Sequence, residues 1–206
     1  LDRVPDYESV GCAFESRRAR SVAPEGKAAV SAAEPDHERW MRAALAEAEA
    51  AAAEGEVPVG CVVVHDGRIV GRGHNRTEAL KDPTAHAEVV AIGAAATAIN
   101  NWRLSGTTVY VTVEPCLMCV GALVLARPDL VVYGARDPKF GCLGSRYDIA
   151  RDNRFNHELK VVAGVLAAEA ADLLRRFFRP RRRERQETVP RSAGRAGQSP
   201  FSEKPR

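Results

Sequence analysis

From Pro35 onward the apolar positions of the chain fall alternately at helix spacing and at strand spacing. Trp40, Met41, Ala44, Leu45 and Ala48 recur at intervals of three and four, behind Asp36 as a cap and ahead of Gly55 as a stop. This predicts an amphipathic first helix. Two apolar runs, 57–64 and 68–73, flank Asp66-Gly67 and predict two strands around a tight hairpin turn. After a loop with Asn75 and Pro83, Thr84 precedes a predicted helix over 85–99, and a strand follows at 107–113. That strand runs into Glu114-Pro115, where Pro suits a first helical turn, and the helix 116–125 should end before Arg127-Pro128. Strands at 130–133 and 160–166 and a last helix at 167–178 complete the pattern, with Pro180 expected to stop or kink that helix. Such alternation predicts an α/β fold: a three-layer α/β/α sandwich with a mixed five-stranded sheet, antiparallel at the opening hairpin and parallel where helices cross over.

Composition changes the picture only at the ends. Residues 1–34 lack periodicity and are rich in Ala, Ser, Arg and Glu, so they read as a disordered N-terminal extension. Residues 35–183 form the predicted domain, and 184–206 read as a disordered tail. Eleven of the 30 basic but only three of the 27 acidic residues fall in 175–206, so that stretch carries +8 and the rest −5 of the total +3. No apolar run reaches the roughly 18 residues of a membrane span, and residues 1–25 lack the apolar core of a signal peptide. The expectation is a soluble, cytoplasmic protein with no membrane association. Five cysteines, an odd number, favour a metal site in a reducing compartment over a disulfide framework.

Cys116 and Cys119 open a helix one turn apart, where the helix N-terminus favours thiolates. Alone, the pair is equally compatible with packing, redox chemistry or zinc. His86-Ala87-Glu88, at the start of another helix 30 residues upstream and followed by a strand, shifts the balance toward one shared ion. Structural zinc closes with four protein ligands, whereas a hydrolytic site keeps one position for water. His37, His65, His74, His157, Cys12, Cys61 and Cys142 offer no second pair at ligand spacing, so three ligands plus water is the better reading. Zinc lowers the pKa of bound water from about 15.7 to about 7. Glu88 then has a proton to carry from water to substrate, worth roughly 100- to 10,000-fold in rate. Taken singly, His86 reads as a satisfied core histidine and Glu88 as a solvated helix position; together they read as chemistry. Cys61, Trp40 and Leu45 read as core, Cys142 as a spectator near the mouth of the site, and Trp102 stays open.

His-x-Glu followed by Pro-Cys-x-x-Cys resembles the signature of zinc-dependent deaminases. The resemblance extends to the bacterial tRNA-specific adenosine deaminases through Val57-Pro58-Val59-Gly60, His74-Asn75-Arg76, Asp82 to Glu88, Tyr110 to Cys119, Gly134 to Lys139, Gly144-Ser145, Asn156-His157 and Phe177-Phe178. It covers about residues 36–183. What it implies is a cytidine-deaminase-like fold and a homodimer with one zinc per subunit. The implied reaction converts adenosine to inosine at the wobble position of a tRNA anticodon, chiefly that of an arginine tRNA, with the anticodon stem-loop as partner. By position, Asn75 would hydrogen-bond the flipped base, and Glu114 belongs to the strand end that shapes the pocket. Asp137, Lys139 and Asn156 would line the path of the flanking nucleotides. Phe178 and the arginines beyond it, Arg181 among them, fall on the helix that contacts the anticodon loop.

Physical reasoning points the same way with less resolution. An adenine inside a duplex is out of reach, whereas loop bases unstack cheaply, and a basic arm beside aromatic side chains suits a single-stranded loop. The blander alternative has residues 175–185 merely solvating a helix end. Two rival functions stand beside this one: a deaminase of free cytosine, cytidine or guanine, and a noncatalytic zinc-containing RNA-binding subunit, against which Glu88 speaks.

Overall fold

The computed structural model describes residues 36–152, 154–155 and 157–188, with side chains up to Arg181. The expectations for residues 1–34, for 189–206 and for Asn156 lie outside the described residues. In chain order the elements are α1 (His37–Ala53), β1 (Gly60–His65), β2 (Arg68–His74), α2 (Thr77–Leu80), α3 (Ala87–Ile99), β3 (Thr107–Val113), α4 (Leu117–Ala126), β4 (Leu130–Ala135), a 3-10 turn (Ile149–Arg151), β5 (Val161–Ala163) and α5 (Ala167–Thr188). The five strands make one sheet in the order β2-β1-β3-β4-β5. The pairs β1–β2 and β1–β3 are antiparallel, and β3–β4 and β4–β5 are parallel. The mixed sheet expected from the hairpin and the crossovers is therefore present.

Strand alternation divides the core between two faces. Cys61, Val63, Val109, Val111, Val131 and Tyr133 turn toward α3 and α4, while Val62, Val64, Tyr110 and Val132 turn toward α1. α5 packs against β3 and β4 beside α1, which completes the third layer. Because the central strands are covered on both sides, they read as unbroken apolar runs. Each fully buried valine contributes about 1.5–3 kcal/mol relative to exposure, so a charge at Val111 would break the sheet's centre. The hairpin turn has positive φ at both Asp66 (46°) and Gly67 (68°), as its twist requires. α3 lies so close on β2 that a Cβ at Gly73 would fall 2.6 Å from Ala87 O and from Ala91 N. That contact sets the start of α3, and with it His86, at the end of the sheet.

Several boundaries differ from expectation, each for a physical reason. α3 begins at Ala87 rather than 85, because Ala85 N–H and His86 N–H donate to Asp82 O and Thr84 O in a tight turn. α2 was not anticipated: its first N–H groups, of Glu78 and Ala79, donate to the buried Glu56 carboxylate at 3.2 and 2.8 Å, a cap supplied from a distant segment. β5 spans three residues, cut short by positive φ at Gly164 (89°) and Leu166 (50°). α5 continues through Pro180 to Thr188, past both the expected stop and the expected domain end at 183. Pro180 removes one helix donor. The turn is braced by Arg181, whose guanidinium lies 3.6 Å from the Phe177 ring centroid and donates to Phe177 O (3.1 Å) and Gly55 O (3.3 Å). Among the described residues, no helix is long and apolar enough to cross a membrane.

Candidate active site

His86 is the N-cap of α3 and Cys116 the N-cap of α4, both with extended backbone. An N-cap side chain ordinarily turns onto its own helix and accepts a backbone N–H. Neither the imidazole nor the thiol does so; they turn to a common centre. Cys119, one helical turn after Cys116, brings its sulfur to the same side. His86 Nδ1 lies 3.7 Å from Cys116 Sγ and 3.5 Å from Cys119 Sγ, and the sulfurs are 3.7 Å apart. Zinc bonds of about 2.3 Å to sulfur and about 2.0–2.1 Å to nitrogen, at tetrahedral angles, separate such donors by about 3.5–3.8 Å. The donor set therefore fits zinc on three corners, and among the described residues no fourth His, Cys, Asp or Glu joins it.

The protonation of the three donors follows from the same contacts. The Cys116 thiol is held well below its ordinary value, first by the hydrogen bond from Cys119 and then by His86. Cys119 is pushed the other way by that same bond and by burial, and His86 is raised chiefly by its bond to Cys116. Loading zinc must expel the Cys119 proton, so metal affinity rises with pH. Glu88 lies in the first turn of α3 and is 4% exposed. Burial lifts its carboxyl above the usual range and the Cys116 charge adds to this, while its own backbone N–H and His86 oppose it. A buried carboxyl with raised proton affinity thus lies in the same helix start as one of the three donors.

Residues 34–135 match the family described as the cytidine and deoxycytidylate deaminase zinc-binding region. The tRNA-specific adenosine deaminase of Bacillus subtilis (strain 168) is 47% identical over 148 residues, which make up 72% of this chain and 92% of that protein. The chain belongs to the tRNA-specific adenosine deaminase family. A solved structure from biochemical and structural studies of A-to-I editing by tRNA:A34 deaminases at the wobble position of transfer RNA superposes with a TM-score of 0.64 at 42% identity, over 66% of this chain and 99% of that one. A guanine deaminase from Nitrosomonas europaea is similar at a TM-score of 0.60 and 26% identity, over 68% of this chain and 83% of that one.

In this member of the family the expected substrate residues occupy unequal places. Asn75 is buried, and its Oδ1 accepts from Ala87 N–H at 2.9 Å, the cap that His86 gives up. Among the described residues its amide N–H groups have no hydrogen-bond partner. Glu114 is buried at the end of β3, as expected, but its carboxylate binds the loop after β4: Oε1 accepts from Leu143 N (3.0 Å) and Ser145 N (2.9 Å), and Oε2 from Asp137 N (3.1 Å) and Ser145 Oγ. Loop donors thus engage both oxygens of Glu114. Asp137 Oδ1 accepts from Lys139 N (2.8 Å) and Phe140 N (3.2 Å), turning the loop, and Lys139 is exposed upon it. Cys116, Leu117, Met118, Lys139, Phe140 and Tyr147 all line a cavity of about 640 Å³ beside the ligands. Phe178 is exposed on α5, edge-on to Phe177. Arg181 turns back on Phe177 and Gly55, and among the described residues no contact joins it to the metal ligands.

Cys142 is buried, its thiol donating to Phe140 O, as befits a spectator, and Trp102 is exposed. Sequence reasoning missed Ser145, Gly141 and Glu56 as organisers of the two loops that flank the ligands. No local spacing marks them, since their partners lie more than twenty residues away or pack on a bare backbone.

Proposed function

We propose that the chain hydrolyses adenosine to inosine at the wobble position of a tRNA anticodon, chiefly that of an arginine tRNA. The reaction type is carried by the three-cornered donor set with Glu88 buried beside it. The substrate is carried by 47% identity over 92% of a relative named tRNA-specific adenosine deaminase.

His86, Cys116 and Cys119 would hold one zinc ion per chain. When bound, zinc supplies a Lewis acid that makes water acidic enough to serve as nucleophile near neutral pH. Glu88 would carry a proton from the attacking water to the departing amino group, so that adenosine and water become inosine and ammonia. The unpaired amide of Asn75 orients the unstacked base, while Asp137, Lys139 and Phe178 flank its neighbours. Along α5, the exposed Arg176 and Arg179 rim a groove of about 600 Å³ suited to phosphates, in which Arg175 is paired with Asp172. We further infer a cytoplasmic homodimer. α4 exposes Leu117 and Leu125, and the loop after β4 exposes Phe140 and Tyr147, apolar surface that a second copy would cover.

Zinc-loaded protein should form inosine in an anticodon stem-loop carrying A at the wobble position, read by nuclease digestion and mass spectrometry. Free guanine and cytidine belong in the same assay, since a guanine deaminase shares the fold. Turnover of either with the RNA untouched would reverse the assignment, and zinc binding without any turnover would make the chain a noncatalytic subunit.

A further inference from the structure

We infer that Glu114 is the positioning residue of the loop 136–148: its buried carboxylate is the centre around which that loop folds, and so it sets the wall of the cavity beside Cys116. The kinetic consequence rests on the proposed reaction; the geometry does not.

Glu114 is 3% exposed. A carboxylate taken from water is costly unless its oxygens are hydrogen-bonded. Here four donors from one loop supply the bonds, the backbone N–H groups of Asp137, Leu143 and Ser145 and the hydroxyl of Ser145. Two donors on each oxygen leave little capacity for a substrate. The loop closes on itself around this centre: Gly141 N–H donates to Asp137 O and Arg146 N–H to Gly141 O, each at 2.9 Å. Position 141 admits no side chain, for a Cβ would lie 2.4 Å from Glu114 Cδ and 2.6 Å from Asp137 O. On its other side Glu114 is tied to the metal ligands by sequence, since Pro115 and Cys116 follow it. Cys142 N–H donates to Pro115 O, and Glu114 N–H donates to Ala135 O at the end of β4. The side chains that the loop contributes to the cavity, Lys139, Phe140 and Tyr147 among them, are therefore held in register with Cys116 through one carboxylate.

The test uses four variants of the full, zinc-loaded chain: E114Q, E114A, G141A and E114A/G141A. E114Q keeps the volume but turns two acceptor sites into donors that face loop donors. Zinc content should stay at one per chain, KM for the stem-loop should rise about tenfold or more, and kcat should change less than about threefold. Amide hydrogen exchange at Asp137, Leu143 and Ser145 should quicken at least about tenfold, while amides of α3 keep their protection. G141A should reproduce both effects from the opposite side of the contact. Because E114A removes the carboxylate the new methyl strikes but leaves its contact with Asp137 O, the loss in E114A/G141A should fall well short of the product of the two single losses. A general loss of stability would lower the active fraction and leave KM unmoved. Unchanged loop exchange with unchanged KM in E114Q overturns the inference, as do independent, multiplying losses in the double variant. Should E114A not fold, E114Q and G141A decide alone. If the wild type forms no inosine, the proposed reaction fails, and the exchange data still judge the clamp.

Discussion

Two glutamates flank the same three ligands, Glu88 two residues after His86 and Glu114 two residues before Cys116, and both are buried, at 4% and 3% exposed. Their surroundings differ in one respect. Glu114 is met by four loop donors, whereas Glu88 has its own backbone N–H and the thiol of Cys119. Burial leaves Glu88 with a raised proton affinity, the condition that the proposed proton transfer needs. Residue type and burial do not distinguish the two, but the number of fixed donors does.

Exchanging the carboxyls for amides breaks this comparison most forcefully at Glu88. E88Q should cut kcat by roughly 100- to 10,000-fold, with zinc content and stem-loop affinity kept, measured by single-turnover inosine formation beside metal analysis. Unchanged turnover would remove Glu88 from proton transfer. Stability should respond in the opposite sense. In denaturant unfolding, E114Q should lose about 2 kcal/mol, because charge-assisted bonds of about 1.5–3 kcal/mol each are weakened. E88Q should lose nothing or gain slightly, since it removes a poorly bonded buried carboxyl. Equal losses in the two variants would erase the distinction.

The same distinction decides what the sequence could disclose. His86, Cys116 and Cys119 were legible because ligand spacing is local and both helix starts carry it. The sheet was legible because apolar alternation is local too, and strand 107–113 was placed to the residue. The loop after β4 was not, because Glu114 reaches Asp137 and Ser145 across 23 and 31 residues, and such hydrogen bonds leave no periodic trace. α2 was hidden for the same reason, its cap being Glu56. At Pro180 a sound local rule was overridden by the long reach of Arg181 to Gly55. Asn75 was half legible: resemblance suggested base binding, and only the structure adds that it caps α3.

Asn75 combines in one side chain what the two glutamates keep apart, and its two halves can be separated. N75D retains the oxygen that accepts from Ala87 N–H and loses the amide donors; N75A loses both. N75A should therefore cost about 1 kcal/mol of stability, as lost caps do, and N75D less than about half of that. Both should weaken stem-loop binding about tenfold, the worth of one buried hydrogen bond. Wild-type affinity in N75D would show that the amide does not hold the base.

The smallest effect extends the argument from acids to bases. Arg179 and Arg181 are both exposed on α5, yet Arg181 is engaged by the Phe177 ring, Phe177 O and Gly55 O. If fixed partners decide the role, Arg181 braces the helix and Arg179 meets phosphate. Stem-loop binding to the E88Q chain, followed against salt, should give a log–log slope of about −2 to −3.5 for roughly three to five phosphates. R179A should flatten that slope by about 0.7, the share of one single-strand contact, and R181A should leave it unchanged. R181A should instead loosen the turn around Pro180, seen as faster amide exchange in α5. A slope flattened equally by R181A would return that guanidinium to the RNA, and the number of internal partners would no longer predict what a charged side chain does in this fold.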